Sequence, residues 1–120
     1  MDDIHLVPYD PGWPTRYAHE ARLVQEALSP LPIDGIEHFG STAIPGIVAK
    51  AIIDILIAVP SVAAAGDSFP ARLRPLGYVF WADNPKTDRL FFVKGMPPFG
   101  DGRTHHIHVT EPSGELWRRL

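Results

Sequence analysis

The sequence predicts a single α/β domain, and three observations support this prediction. The chain has 120 residues, enough for one hydrophobic core and too few for two stable halves. An amphipathic helical pattern begins at Trp13. Residues 52–59 form an apolar, largely β-branched run, which is typical of a central strand buried on both faces of a sheet.

The first half of the chain alternates between predicted strands and one helix. Residues 5–9 are compatible with a short edge strand. From Trp13, apolar residues recur at spacings of four, four, three and four, which predicts a helix ended by the Ser-Pro dipeptide at residues 29–30. A strand is predicted at residues 33–39, and the turn-forming residues 40–46 predict a loop before the central strand.

The second half predicts another helix, a hairpin and a final helix. A helix capped by Ser61 is expected to reach about residue 76, although two prolines and a glycine make it short or broken. Residues 78–81 and 89–94 predict two strands of a hairpin, with its turn at residues 83–88. A partial apolar stripe from Glu115 predicts a last helix without a cap, so we expect the C-terminal helical part to be truncated.

Composition and charge exclude several classes of protein. Lys and Arg total 11 against 14 Asp and Glu, a formal net charge of -3, so the basic excess of a general nucleic-acid binder is absent. No apolar run approaches the roughly 20 residues of a membrane span, and the acidic start is unlike a secretory signal. The chain has no cysteine, which fits a reducing compartment and leaves His, Asp and Glu to hold any metal. We expect a cytoplasmic protein with a small-molecule partner rather than nucleic acid or a membrane, and a homo-oligomer stays open.

A first group of polar residues points to phosphate chemistry. Gly40 and Ser41 form a predicted turn at a strand end, where backbone N–H groups and a hydroxyl can contact phosphate oxygens. Asp54 follows thirteen residues after the serine, where a carboxylate can hold Mg²⁺ against the same phosphates or act in catalysis. The alternatives are an ordinary turn and a structural salt bridge, because a charge inside an apolar strand is costly unless it is paired or metal-bound.

A second group lies in the alternating residues 104–110. His106 and His108 share one face of this predicted strand, and His105 lies on the other face. Two such positions are roughly 6.5 to 7 Å apart, from which imidazoles can converge on one metal ion. With Asp54 they would hold Zn²⁺, Mn²⁺ or Ni²⁺, and Asp54 and His106 could also act as acid and base. Alternatively, these histidines hydrogen-bond within a polar cleft or bind a substrate phosphate when charged.

A third group is cationic and consists of Lys50, Arg89, Lys94 and Arg103. Together they predict an anion site, in which Lys50, Arg89 and Lys94 bind the phosphates of a nucleotide or metabolite. The alternative is a set of ordinary solvated surface cations. His38 either faces the same cleft or has a packing or capping role. The aromatic residues are expected to pack in and around the core rather than to stack on bases.

Several blocks of the sequence resemble the GrpB-like family. They are residues 36–46 (IEHFGSTAIPG), 49–50 and 52–55, supported by residues 7–9 with Trp13, 76–78, 89–94 and 103–109, so the resemblance covers nearly the whole chain. The resemblance implies the nucleotidyltransferase fold, a mixed β-sheet flanked by helices. That fold's pattern is a Gly-Ser turn and then an Asp-x-Asp or Asp-x-Glu strand whose carboxylates hold a divalent metal. Gly40, Ser41 and Asp54 match this pattern, whereas Leu56 stands where the second carboxylate is expected.

Three functions follow from these groups and from the resemblance. The first is a nucleotidyltransferase-like protein that binds a nucleotide or a phosphorylated small molecule and, with Mg²⁺, Mn²⁺ or Zn²⁺, transfers a nucleotidyl or phosphoryl group. The alternative is a catalytically inactive ligand-binding or interaction module of the same fold, which Leu56 favours. The second alternative is a small metal-dependent hydrolase, which requires Asp54, His106 and His108 to converge within ligand distance.

Overall fold

The chain folds around a mixed β-sheet, and the computed structural model describes residues 6–82 and 89–118. In chain order the elements are β1 (Leu6–Val7), α1 (Trp13–Leu28), β2 (Gly35–Phe39), β3 (Ala49–Lys50), β4 (Ile53–Ala58), α2 (Val62–Leu73), β5 (Tyr78–Phe80), β6 (Leu90–Lys94), β7 (His105–Thr110) and α3 (Glu115–Arg118). Single 3₁₀ turns lie at Ser41–Ala43 and Arg74–Leu76.

Five strands form the main sheet, in the order β2-β4-β7-β6-β5. The strands β4 and β7 are parallel, and the other neighbouring pairs are antiparallel. The strands β1 and β3 pair separately as a small antiparallel ribbon. The predicted fold class, a mixed sheet flanked by helices, is confirmed.

The two long helices pack on one face of this sheet. The shared core contains apolar residues of both helices and of alternate positions on β4 and β7, namely Trp13, Val24, Leu28, Ala65, Phe69, Leu73, Ile53, Ile55, Ile57, Ile107 and Val109. Because successive side chains of a strand point to opposite faces, Asp54, Leu56, His106 and His108 lie on the face away from this core. Asp54, His106 and His108 therefore share one side of the sheet.

The predicted elements are observed with small changes at their ends. The helix α1 ends where the Ser-Pro dipeptide interrupts its apolar spacing. The helix α2 is short, as expected, and Ser61 Oγ caps it by accepting a hydrogen bond from the backbone N–H of Ala64 at 3.1 Å. The strands β5 and β6 pair as the predicted hairpin requires, but its turn at residues 83–88 lies outside the described residues, as does His5 of the first predicted strand. Within residues 6–82 and 89–118, no helix has the length and apolar character needed to cross a bilayer.

Candidate functional site

Three polar side chains converge on the sheet face opposite the helices. Asp54 on β4 pairs in register with His106 on the adjacent parallel strand β7, and His108 lies two positions further along. Asp54 Oδ1 is 3.3 Å from Nδ1 of His106 and 3.2 Å from Nε2 of His108. One potential ligand atom from each side chain lies within 4.8 Å of the other two. The parallel pairing thus joins residues that are distant in sequence.

A glycine turn lies directly beside the Asp54 carboxylate. Gly40 has φ 77° and ψ -168°, a conformation that is essentially restricted to glycine. A Cβ atom at this position would lie 2.8 Å from Oδ2 of Asp54, so both the backbone and the available space require glycine. The exposed Ser41 begins the following 3₁₀ turn. The turn and the carboxylate are therefore neighbours, as a shared phosphate and metal site requires.

Aromatic rings enclose the two histidines. The Phe91 ring centroid is 4.9 Å from that of His106 and 4.9 Å from that of His108, and Phe39 contacts His108 edge-on at 5.0 Å. Sequence reasoning assigned the aromatic residues to packing and missed this role. The sequence signal for this role was the alternation of side chains in β6, which places Phe91 and Phe92 on opposite faces of the sheet, so that one of them must face away from the helices. Contacts of this kind restrict the imidazoles to a narrow range of orientations.

The environment keeps Asp54 ionised. Burial by itself would raise the pKa of Asp54, but hydrogen bonding and positive charge from His106 and His108 outweigh that effect and hold the pKa below its ordinary value. The other ring nitrogens, Nε2 of His106 and Nδ1 of His108, are buried and have no hydrogen-bond partner within the described ranges. Buried polar atoms without a partner are uncommon in native proteins, and these two are the ring nitrogens that do not face Asp54.

The three side chains offer the types of ligand that divalent transition-metal ions take. In a tetrahedral zinc site with bonds of about 2.0 to 2.1 Å, neighbouring ligand atoms are roughly 3.3 Å apart. The two distances from Asp54 Oδ1, 3.3 Å to His106 and 3.2 Å to His108, agree with this spacing. Two imidazoles and one carboxylate suit Zn²⁺ and similar ions, whereas Mg²⁺ prefers oxygen ligands alone. Three protein ligands are also typical of catalytic zinc sites, which keep one position for water or substrate.

The position of the expected second carboxylate is apolar. Leu56 is fully buried and pairs in register with His108. An imidazole therefore lies beside the position at which the nucleotidyltransferase pattern has its second metal-binding carboxylate. The arrangement supplies ligands for one ion and lacks the carboxylate pair that clamps two.

The predicted phosphate-binding cations do not all reach this site. Lys94 lies on the helix-covered face, where its Nζ is 2.8 Å from Oε2 of Glu20, so the structure gives it a structural ion pair instead of a place beside Asp54. Lys50 is exposed on β3, in the separate ribbon. Arg89 is half-buried directly before β6. Of the predicted anion-site residues, Gly40 lies against the Asp54 carboxylate, and Ser41 follows it in the chain.

Two further histidines lie on the helix side of the sheet. The His38 ring stacks on Tyr17 with 4.7 Å between centroids, and its Nε2 is 2.9 Å from Oγ1 of Thr42. His38 therefore has the packing role that was one of its two predicted roles, and it does not face the cleft beside Asp54. His105 faces away from His106, as the strand alternation predicts. Burial lowers the pKa of His38 and of His105, which favours the neutral imidazole in both.

A buried polar network fastens α1 to the sheet and was not predicted from the sequence. Glu20 is 3% exposed and accepts hydrogen bonds from the Tyr78 hydroxyl at 2.7 Å and from Lys94 Nζ at 2.8 Å. Burial would raise the pKa of Glu20, but the bonds from Lys94 and Tyr78 outweigh it, so the pKa lies below its ordinary value. The same environment raises the pKa of Tyr78 far above its ordinary value. This network explains why Lys94 is not available to a phosphate on the opposite face.

Comparisons with known proteins agree on one family. A family model described as GrpB protein matches residues 3–120. The chain is 56% identical over 108 residues to a UPF0157 protein of Pseudomonas aeruginosa, which covers 90% of this chain and 44% of that protein. It is 34% identical over 120 residues to a dephospho-CoA kinase of Mycolicibacterium paratuberculosis, which covers 92% of this chain and 29% of that protein. The crystal structure of conserved protein GrpB from Enterococcus faecalis superposes with a TM-score of 0.81 at 26% identity, over 93% of this chain and 64% of that one. The chain spans less than half the length of these two curated relatives.

Proposed function

The chain belongs to the GrpB family, and on that premise we propose that Asp54, His106 and His108 hold one divalent transition-metal ion that acts on the phosphate of a nucleotide or another phosphorylated small molecule. The observation that carries this proposal is the convergence of the three side chains within 4.8 Å of one another. The adjacent turn at Gly40, which leaves no space for a side chain against Asp54, supports it.

Each residue of the site has a distinct part in this proposal. Asp54 supplies the charged ligand, and the two histidines supply neutral ones, so the ion keeps net positive charge to offset a phosphate. Such an ion, when bound, polarises a phosphoryl oxygen and lowers the pKa of a bound hydroxyl group. Ser41 and the backbone N–H groups of its turn would orient the phosphate oxygens. Phe39 and Phe91 pack against the imidazoles and restrict their orientation.

The reaction class is transfer or hydrolysis of a phosphate-linked group. One relative, of which the match covers 29%, is named dephospho-CoA kinase, a phosphoryl-transferring enzyme, and this name is compatible with a phosphorylated substrate class here. Hydrolysis is the second candidate, because three ligands for one ion are typical of metal-dependent hydrolases and because Leu56 removes the second carboxylate of the transferase pattern. In hydrolysis, water replaces the acceptor hydroxyl group.

A turnover assay with matched variants tests the proposal. The protein is incubated with ATP, GTP, CTP or UTP and with Zn²⁺, Mn²⁺ or Mg²⁺, and the nucleotides, phosphate and pyrophosphate are quantified by chromatography. We expect turnover to need a metal and to fall by about a hundredfold or more in Asp54→Asn. His105→Gln is the control, because His105 lies on the same strand as the ligands and faces away from them.

The products separate the candidate functions. Product formed without any acceptor indicates hydrolysis, and product formed only after an acceptor is added indicates transfer. Metal-dependent nucleotide binding without turnover would favour the catalytically inactive binding module over an enzyme. Full turnover in Asp54→Asn would contradict the proposed role of the site.

A further inference from the structure

A second feature of the same sheet face is a pocket beside the metal-ligand group. Its volume is about 330 Å³, and its lining includes Val79, Trp81, Val93, Met96 and Arg103. This volume lies at the lower end of the range for small-molecule sites, roughly 300 to 1,000 Å³. The walls are apolar apart from the Arg103 side chain.

The strand register places the pocket in the same row of the sheet as the candidate metal centre. Val79 pairs with Val93, Val93 with His106, and His106 with Asp54, so the four residues form one row across the sheet. Neighbouring strands are about 4.8 Å apart, so one strand spacing separates Val93 from His106 and two, about 10 Å, separate Val93 from Asp54. The sugar and phosphates of a nucleotide can span such a distance.

The side chains of the pocket suit a flat aromatic ring that carries a negative tail. Trp81 is 41% exposed, although it is a large aromatic residue. The guanidinium carbon of Arg103 lies 5.0 Å from the centre of the Trp81 ring. The Trp81 ring is 5.8 Å from Phe91, which itself contacts both site histidines. Exposed aromatic faces next to arginine are a common means of stacking nucleobases.

We infer that the pocket between Trp81 and Val93 receives the base of a nucleotide whose phosphates extend along the sheet to Asp54. This inference rests on the proposed function and gives it a substrate class, a nucleotide rather than a phosphorylated molecule without an aromatic ring. Trp81 provides the stacking surface, and Arg103, beside the Trp81 ring, adds positive charge to the pocket.

A binding comparison tests the inference. The Mn²⁺-loaded protein is titrated in a calorimeter with ATP, GTP, CTP, UTP and tripolyphosphate, the last of which has the phosphate chain and no base. We expect at least one nucleotide to bind about tenfold or more tightly than tripolyphosphate, because a base stacked on an aromatic ring typically contributes this much or more. Trp81→Ala should reduce nucleotide affinity to that of tripolyphosphate and leave the affinity for tripolyphosphate unchanged. Trp81→Phe should keep most of the nucleotide affinity.

The control is Phe99→Ala, which removes a 45% exposed aromatic residue outside the pocket lining and should change neither affinity. Equal affinity for nucleotides and tripolyphosphate, or unchanged nucleotide affinity in Trp81→Ala, would overturn the base site while leaving the metal centre intact. Trp81-dependent nucleotide binding that needs neither metal nor Asp54 would keep the base site and overturn the proposed function. Binding of neither probe would overturn both.

Discussion

Replacing Gly40 by alanine perturbs the candidate metal centre without removing any ligand atom. The backbone at Gly40, with φ 77° and ψ -168°, costs a non-glycine residue about 1 to 3 kcal/mol. The new Cβ would also lie 2.8 Å from Oδ2 of Asp54, a distance that Cβ atoms essentially never show. The turn or the Asp54 carboxylate must therefore move. Metal-ligand distances in good sites agree to within about 0.2 Å, so a shift of several tenths of an ångström disrupts ligation.

We expect Gly40→Ala to lower the free energy of unfolding by about 2 to 3 kcal/mol and to weaken metal binding at least tenfold, which corresponds to about 1.4 kcal/mol. Urea denaturation measures the first effect, and calorimetric titration with Zn²⁺ measures the second. Gly46→Ala is the matched control, since Gly46 also has a positive φ, 88°, but no atom of residues 6–82 and 89–118 outside its chain neighbours lies within 4 Å of its added Cβ.

Gly46→Ala should lose stability through its backbone and keep the metal affinity of the unmodified protein. Metal binding in Gly40→Ala that equals that of Gly46→Ala would refute the reasoning, because the contact with Asp54 would then have no effect on ligation.

Three further substitutions probe the network, the aromatic wall and the missing carboxylate. The pKa of Glu20 lies below its ordinary value of 4.5, so the bond with Lys94 stabilises the fold above that pH and is lost as the pH falls through the folded-state pKa. Urea denaturation should therefore show Glu20→Gln costing about 2 kcal/mol at pH 7 and progressively less as the pH falls below 4.5, and a cost that does not change with pH would contradict this. Phe91→Leu removes the ring that contacts both histidines. We expect titration to show a several-fold loss of Zn²⁺ affinity, with a loss of only about 1 to 2 kcal/mol in the free energy of unfolding. Unchanged affinity would show that the ring does not orient the histidines. Leu56→Asp places a charge at a fully buried position near Asp54 and should destabilise the protein strongly, with partial recovery of the melting temperature in Mg²⁺. The absence of any Mg²⁺ response would show that the two carboxylates cannot share an ion.

Strong periodicity made parts of the fold predictable. The helix α1 follows from apolar residues at helical spacing, and its end follows from the Ser-Pro dipeptide. The strand β4 follows from an apolar run too short for a buried helix and too β-branched for a loop. The shared face of His106 and His108 follows from the two-residue period of a strand. Each of these properties is local and is therefore readable from one sequence.

Pairing between distant segments could not be read in the same way. The ribbon of β1 and β3 consists of two-residue strands, which carry no periodic signal. The position of Lys94 depends on which face of β6 meets α1, and its partner Glu20 lies 74 positions away. The proximity of Asp54 to the histidines depends likewise on the parallel register of β4 and β7, which composition and spacing do not determine.

Calorimetric titration with Zn²⁺ of the unmodified protein, Asp54→Asn and His105→Gln tests the proposed metal centre most directly. We predict one bound ion per chain in the unmodified protein and in His105→Gln, with affinity at least a hundredfold lower in Asp54→Asn, because the charged ligand is lost. Equal affinity in all three proteins, or no binding to any of them, would contradict a metal centre formed by Asp54, His106 and His108.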